Sequence, residues 1–188
     1  SSQLYPLYDG LPAEIAESPE LQAAFKNSIL YKLDKHWRSK RSGFMSFGLV
    51  QLGQASASLG EAELAYECMG HLVNRFWLSN LASMHNHKTL FNMDISGGQP
   101  AVLIKRLVDA EPGKIRLLPA LPSDWETGSI EGVLCRGQIE IKRLSWTAQG
   151  LTVDLMSNKK QTVQISAYGK TQSFKLNADE IKNFSLTK

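Results

Sequence analysis

Asp94 is the acidic residue whose sequence surroundings best fit a catalytic role. It stands in the stretch Phe91-Asn92-Met93-Asp94-Ile95-Ser96-Gly97-Gly98, and the pattern predicts a glycine-bordered loop directly before a helix. An aspartate at such a position more often caps the helix by accepting hydrogen bonds from its first N–H groups. The chemical alternative is that the carboxylate orients or deprotonates a water molecule or an amide beside a sugar ring.

Glycoside hydrolysis needs a second carboxyl group across the scissile bond, about 6.5–9.5 Å from the first in an inverting enzyme. Asp9, Glu14 and Glu17 are available in the N-terminal segment, and nothing in their spacing favours one of them. His85 and His87 form an H-x-H pair, which without a third ligand is weak evidence for a metal site. Polar contacts in a loop, to a sugar hydroxyl for example, are the favoured interpretation, so we predict no metal and no cofactor.

Composition is that of an ordinary globular protein and excludes several function classes. The 188 residues are 43% hydrophobic and 21% charged, with a net charge of +3, which argues against global disorder. The basic and acidic residues are mixed along the chain, so we predict no nucleic-acid partner. No apolar stretch approaches the ~20 residues that a membrane span needs. Cys68 and Cys135 are predicted to be buried, inert thiols.

Apolar residues recur at helical spacing in the first part of the chain. Ser18-Pro19-Glu20 predicts a helix start, and an apolar stripe at steps of four runs from Leu21 to Trp37. Further helices are predicted over residues 44–59, rich in small residues that admit a close neighbour, then over 61–81 and 99–110. Residues 1–17 are predicted to be irregular. This helical region could supply only about a third of a twelve-helix toroid, so it is expected to form either a small bundle or a fragment of something larger.

In the second part of the chain apolar residues alternate with polar ones, which is typical of strands. A phase slip after Ile141 predicts a β-bulge near Arg143, and Ala148-Gln149-Gly150 predicts a hairpin turn. Five or six antiparallel strands are expected. The sequence therefore predicts an α+β protein with a helical region over 1–110 and a β-domain over 111–188.

Three segments, in order and spacing, resemble glycoside hydrolase family 95, known chiefly for α-L-fucosidases and some α-L-galactosidases. They are Leu4-Tyr5-Pro6-Leu7-Tyr8-Asp9-Gly10, the Asp94 stretch, and the quite specific run Lys114-Ile115-Arg116-Leu117-Leu118-Pro119-Ala120-Leu121-Pro122. The resemblance implies that residues 1–110 are the last helices of an (α/α)6 barrel. It implies an antiparallel, sandwich-like C-terminal β-domain after them. The chain is then the C-terminal part of an inverting hydrolase acting on terminal α-L-fucosyl or related α-L-sugar residues.

The same resemblance assigns candidate roles. Asp94 matches the acid of the family's F-Q-I-D-G-N-F-G motif, which helps activate the attacking water. Gln3 stands where the family has a sugar-contacting His, and Lys88 where another His is expected, with His87 one place away. The sugar-binding residues implied are Gln3, His87, Lys88 and Asn92. The family's general-acid Glu and its partner Asn residues lie upstream of the matching region.

Two other functions stay open from the sequence. One is a divergent, non-catalytic sugar-binding or structural module on the same scaffold, suggested by Gln3 and by the altered residues after Asp94. The other is a protein-interaction domain using an exposed apolar surface. As partners we expect a carbohydrate substrate and an upstream part of the polypeptide, or another chain, that completes the barrel. The family resemblance implies a periplasmic or secreted protein, although the chain shows no signal of its own.

Overall fold

A computed structural model describes residues 2–39, 45–86 and 89–188, with Ser2 described in its backbone only. The protein is α+β, as predicted. It divides into two compact units, Ser1–Arg106 and Leu107–Lys188. The boundary predicted after residue 110 falls inside the first strand of the second unit.

Most of the described part of the first unit is helical. A 3₁₀ helix over Ser2–Leu7 buries Leu4 and Leu7, so the predicted irregular lead-in is partly wrong. The α-helices are α1 (Ala13–Ala16), α2 (Pro19–Leu33), α3 (Ser46–Leu59), α4 (Ala62–Arg75) and α5 (Asp94–Leu107). A π-helical turn over Asp34–Arg38 continues α2. Within the described segments, no helix is both long and apolar enough to cross a membrane.

The start of α2 is the one the sequence predicts. The Ser18 hydroxyl accepts a hydrogen bond from the Leu21 N–H at 3.2 Å, and Pro19 is the first helical residue. The apolar stripe is core only in its second half, because Ile29, Leu33 and Trp37 are buried while Leu21 is exposed.

Two predicted helices have different bounds. The helix expected over 61–81 ends at Arg75, and an isolated bridge between Trp77 and Ser83 follows. The helix expected over 99–110 instead begins at Asp94, ends at Leu107 and includes Gly97, Gly98 and Pro100. The early start of α5, at Asp94 instead of residue 99, is explained by its packing against α3. Such tertiary contacts override the low helix propensity of glycine.

Helices α3 and α5 pack at close range through reciprocal glycines. A β-carbon added to Gly98 would lie 2.7 Å from Val50 Cγ1, and one added to Gly53 would lie 2.9 Å from Val102 Cγ1. Val50 and Gly53 of α3 contact Gly98 and Val102 of α5 in the same order along the two helices. Helices α3 and α5 therefore run parallel and begin at the same end. The short α3–α4 connection through Gly60, in the left-handed conformation, makes α4 their antiparallel neighbour.

The second unit contains eight strands in two sheets of four, more than the five or six expected. They are β1 (Val108–Glu111), β2 (Lys114–Leu117), β3 (Gly128–Cys135), β4 (Ile139–Thr147), β5 (Gly150–Ser157), β6 (Gln161–Ala167), β7 (Lys170–Leu176) and β8 (Ile181–Thr187). The orders are β1-β2-β6-β7 and β3-β4-β5-β8. The expected antiparallel pairing is found in every described strand pair except β2 with β6, which is parallel. Between β2 and β6 the chain forms β3, β4 and β5, which belong to the other sheet.

The predicted bulge and hairpin are both confirmed. The β4–β5 register shifts between Ile141 and Arg143, and Thr147 pairs with Gly150 across a two-residue turn. The side edges of the two sheets also meet. Phe174 of β7 stacks on Phe184 of β8 with ring centroids 4.2 Å apart, and Lys170 Nζ donates to the Thr187 carbonyl at 2.9 Å.

Candidate functional site

Asp94 is the first residue of α5 and forms a closed pair with Asn92. The Asp94 N–H donates to Asn92 Oδ1 at 2.7 Å, and Asn92 Nδ2 donates to Asp94 Oδ2 at 3.0 Å. Asp94 is exposed and Asn92 is half-buried. The predicted position of Asp94 in a loop before the helix is therefore wrong. The Asn92 amide supplies the acceptor that starts α5, which brings the Asp94 carboxylate into the first turn.

This position suits a carboxylate on electrostatic grounds. The first turn of a helix carries the positive end of the helix dipole, which stabilises a negative charge there. One carboxylate oxygen is engaged by Asn92 Nδ2. The exposed carboxylate can therefore accept a proton or a hydrogen bond from a ligand in a fixed orientation.

A small antiparallel structure precedes α5 and holds Asn92 in place. It contains bridges between Trp77 and Ser83 and between Met84 and Phe91. The Asn92 N–H donates to the Ser83 carbonyl at 2.9 Å. Sequence periodicity gave no indication of this structure, because the bridges are isolated and no regular strand forms around them.

Ser83 is the site residue that the sequence did not single out. It is 1% exposed, and its hydroxyl donates to the Asn92 carbonyl and lies 2.9 Å from Ser96 Oγ. One serine in an aperiodic segment offers no signal that distinguishes it from any other serine.

The segment before α5 also reaches the beginning of α3. The Ser46 N–H donates to the His85 carbonyl at 2.8 Å, and the His85 N–H donates to the Leu90 carbonyl at 2.6 Å. His85 Nδ1 lies 3.0 Å from Asn86 Oδ1. The N-terminal ends of the two parallel helices are therefore joined through one segment.

The remaining predicted site residues that the structure describes show no contact with Asp94. Gln3 is exposed on the 3₁₀ helix, and no described contact joins it to Asn92 or Asp94. His87 and Lys88 lie outside the described residues. Asp9, Glu14 and Glu17 are exposed, and no described contact links any of them to Asp94.

Metal chemistry and thiol chemistry find little support in the described residues. Among them, no group of three or more His, Cys, Asp and Glu side chains could hold a metal ion. Burial raises the pKa of the Cys68 thiol strongly and that of Cys135 to about 11. Both thiols therefore stay protonated at neutral pH, which makes them poor nucleophiles. Cys68 is buried as predicted, whereas Cys135 is only partly so.

A separate ionic cluster ties the π-helical turn to α4. Arg38 donates to both Glu67 oxygens at 2.8 and 2.6 Å and to Asp34 Oδ1 at 2.7 Å. These hydrogen bonds from Arg38 lower the pKa of Glu67, and burial lowers the pKa of His71 nearby. The charged groups of this cluster pair with one another, and Glu67 and His71 lie in the interior of α4. We therefore assign the cluster a structural role.

Residues 110–187 match the family model described as "Glycoside hydrolase family 95, C-terminal domain". The chain is also similar to the protein named alpha-L-fucosidase 2 from Arabidopsis thaliana, with 27% identity over 156 residues. That similarity covers 77% of this chain and 17% of the relative, so the chain corresponds to a small part of it. The resemblance to the C-terminal portion of family 95 is confirmed.

Proposed function

We propose that this chain is the C-terminal part of an inverting glycoside hydrolase, because residues 110–187 match the family model of the glycoside hydrolase family 95 C-terminal domain. Its substrates would be terminal α-L-fucosyl or related α-L-sugar residues of glycans. The proposal takes its substrate class from the similarity to alpha-L-fucosidase 2. The observation that carries the catalytic role is the exposed Asp94 carboxylate fixed by Asn92 at the start of α5.

Asp94 acts in this proposal as the group that helps activate the attacking water. An inverting mechanism needs a general acid on the other side of the sugar, and that carboxyl group must stand apart from the base. No described acid contacts Asp94. In the family that this chain resembles the general-acid Glu lies upstream of the matching region, so we propose that a part of the complete protein outside this chain supplies it. Gln3, His87, Lys88 and Asn92 are the proposed sugar-binding residues of the chain itself.

The helical unit is proposed to be one sector of an (α/α)6 barrel. Such a barrel alternates inner and outer helices, and neighbouring inner helices run parallel. Parallel α3 and α5, with α4 antiparallel between them in sequence, fit this pattern. Asp94 then lies at the end of the barrel where α3 and α5 both begin.

Exposed apolar side chains support a covering partner at that same end. Met45 and Phe47 flank the first residue of α3, and Leu90, Phe91 and Met93 precede α5; they are 41–72% exposed. Contiguous apolar surface usually marks an interface. We propose that the upstream part of the polypeptide, or another chain, covers this surface and completes the barrel.

The family resemblance also supports a periplasmic or secreted location, which fractionation of the source cells would test.

The test of the catalytic role is Asp94→Asn in the complete protein, assayed with p-nitrophenyl α-L-fucoside and its galactoside counterpart. Loss of a positioned base should lower kcat by about 10²–10⁴-fold. Glu20→Gln is the matched control, because Glu20 is also a first-turn helix carboxylate but has no proposed chemistry. Unchanged turnover in a folded Asp94→Asn protein would contradict the catalytic role.

Two substitutions of Asn92 separate capping from catalysis. Asn92→Ala removes the acceptor for the Asp94 N–H and should destabilise the protein by about 1 kcal/mol. Asn92→Asp keeps an acceptor but replaces the Nδ2 donor with a second carboxylate. The new carboxylate oxygen would lie about 3 Å from Asp94 Oδ2, and like charges at that separation repel. Asn92→Asp should therefore lose turnover although the acceptor for the Asp94 N–H is kept, and any loss of stability should come from this repulsion. If both variants lose stability but keep kcat, the pair is only a helix cap.

A further inference from the structure

Ser83 forms hydrogen bonds with both backbone polar groups of Asn92, its N–H and its carbonyl. Its carbonyl accepts the Asn92 N–H at 2.9 Å, and its hydroxyl donates to the Asn92 carbonyl. Since a hydroxyl has one proton to donate, the 2.9 Å contact with Ser96 must be donated by the Ser96 hydroxyl. Ser83 is 1% exposed, so water does not readily replace these bonds.

The hydrogen bonds form a closed circuit. It runs from Ser96 through Ser83 to Asn92, and from Asn92 to Asp94, which shares the first turn of α5 with Ser96. Both polar groups of the Asn92 amide are used on Asp94. A shift of the Asn92 backbone would therefore move the partner that orients the Asp94 carboxylate.

We propose that Ser83 is a positioning residue for the Asp94 carboxylate, a role that rests on the proposed function. Ser83 touches neither the carboxylate nor any reacting atom, and it acts through Asn92. Catalytic groups must be held within about 0.5 Å of their productive geometry by partners whose own positions are fixed. Hydrogen bonds to both the N–H and the carbonyl of Asn92 provide that restraint.

The test compares Ser83→Ala with Ser56→Ala in the complete protein. Ser56 is also fully buried, and its hydroxyl also donates to a backbone carbonyl, that of Leu52 at 2.8 Å, within α3. Each variant removes one hydroxyl-to-carbonyl hydrogen bond of a buried serine. With p-nitrophenyl α-L-fucoside, only Ser83→Ala should lower kcat, by about 10–100-fold, with KM within about twofold of wild type. Ser83→Cys keeps the side-chain size with a weak donor, and should show the same kcat defect if the alanine variant does not fold.

A second measurement does not depend on activity. Hydrogen exchange of the Asp94 amide, which is bonded to Asn92 Oδ1, should accelerate at least about tenfold in the Ser83 variants and stay unchanged in Ser56→Ala. Unchanged exchange at Asp94, or a kcat equal to that of Ser56→Ala, overturns the positioning role. If Asp94→Asn keeps full turnover, the proposed function fails. If Asp94→Asn is inactive while Ser83→Ala keeps its kcat, only the positioning role fails.

Discussion

Gly98 of α5 lies directly against Val50 of α3, leaving no room for a side chain at that position. The added β-carbon would stand 2.7 and 2.8 Å from the two Val50 methyl carbons, well inside ordinary van der Waals contact. Gly97, the neighbouring glycine in the same helix, has open space instead. Two adjacent glycines in α5 therefore play different roles, although the sequence presents them as one pair.

Gly98→Ala should destabilise the protein by about 1–3 kcal/mol, because the new methyl group overpacks the α3–α5 contact. Gly97→Ala should stabilise it by about 0.5–1 kcal/mol, since alanine has the better helix propensity. Denaturant unfolding followed by far-UV circular dichroism measures both. Adding Val50→Ala to Gly98→Ala should recover part of the loss. Equal effects of the two alanine substitutions would contradict the close packing.

Met45 and Met93 report whether the proposed partner surface is covered in the complete protein. They are 51% and 72% exposed here, whereas Met84 is 7% exposed. If the upstream part of the barrel covers that surface, hydrogen peroxide should oxidise all three slowly in the native protein. Peptide mass spectrometry over time gives the rates, and the denatured protein, in which all three react alike, is the control. Rapid native oxidation of Met93 would contradict a covering partner.

Glu67→Gln should destabilise the protein by about 0.5–1 kcal/mol at pH 7, because it weakens the two-point contact with the partly exposed Arg38. Arg38 lowers the pKa of Glu67 from its ordinary value of 4.5. The ionised carboxylate therefore stabilises the folded state above about pH 4.5, and this contribution is lost as the pH falls through the lower folded-state pKa. The wild-type advantage should shrink below pH 4.5. Glu131→Gln, which affects an exposed pair with Arg143, should have little effect at either pH.

Local patterns predicted the elements that local chemistry determines. The Ser18 cap, the β-bulge after Ile141 and the turn before Gly150 all follow from residue types that act on their own neighbourhood. The start of α5 was missed because it depends on Val50, far away in sequence, and on the Asn92 side chain. Strands β1 and β2 were missed because four residues carry too little alternation to recognise.

The candidate site was predictable only in part for the same reason. Asp94 was identified by motif, and Asn92 with it, but their mutual hydrogen bonds require the helix to begin two residues after Asn92. Ser83 belongs to the site only because isolated bridges fold the preceding segment back. That contact has no periodic pattern in the sequence.

The parallel pairing of β2 with β6 bears on the order in which the β-domain folds. Strands β3, β4 and β5 are joined by short antiparallel connections and can form early from local contacts. Strands β2 and β6 pair with each other but are separated in sequence by β3, β4 and β5. Their pairing closes a long loop, and the entropic cost of that closure must be met before the paired strands stabilise each other. We therefore expect the β3–β5 meander to gain amide protection first during refolding. The sheet that contains the Lys114–Leu117 strand should follow in a slower phase.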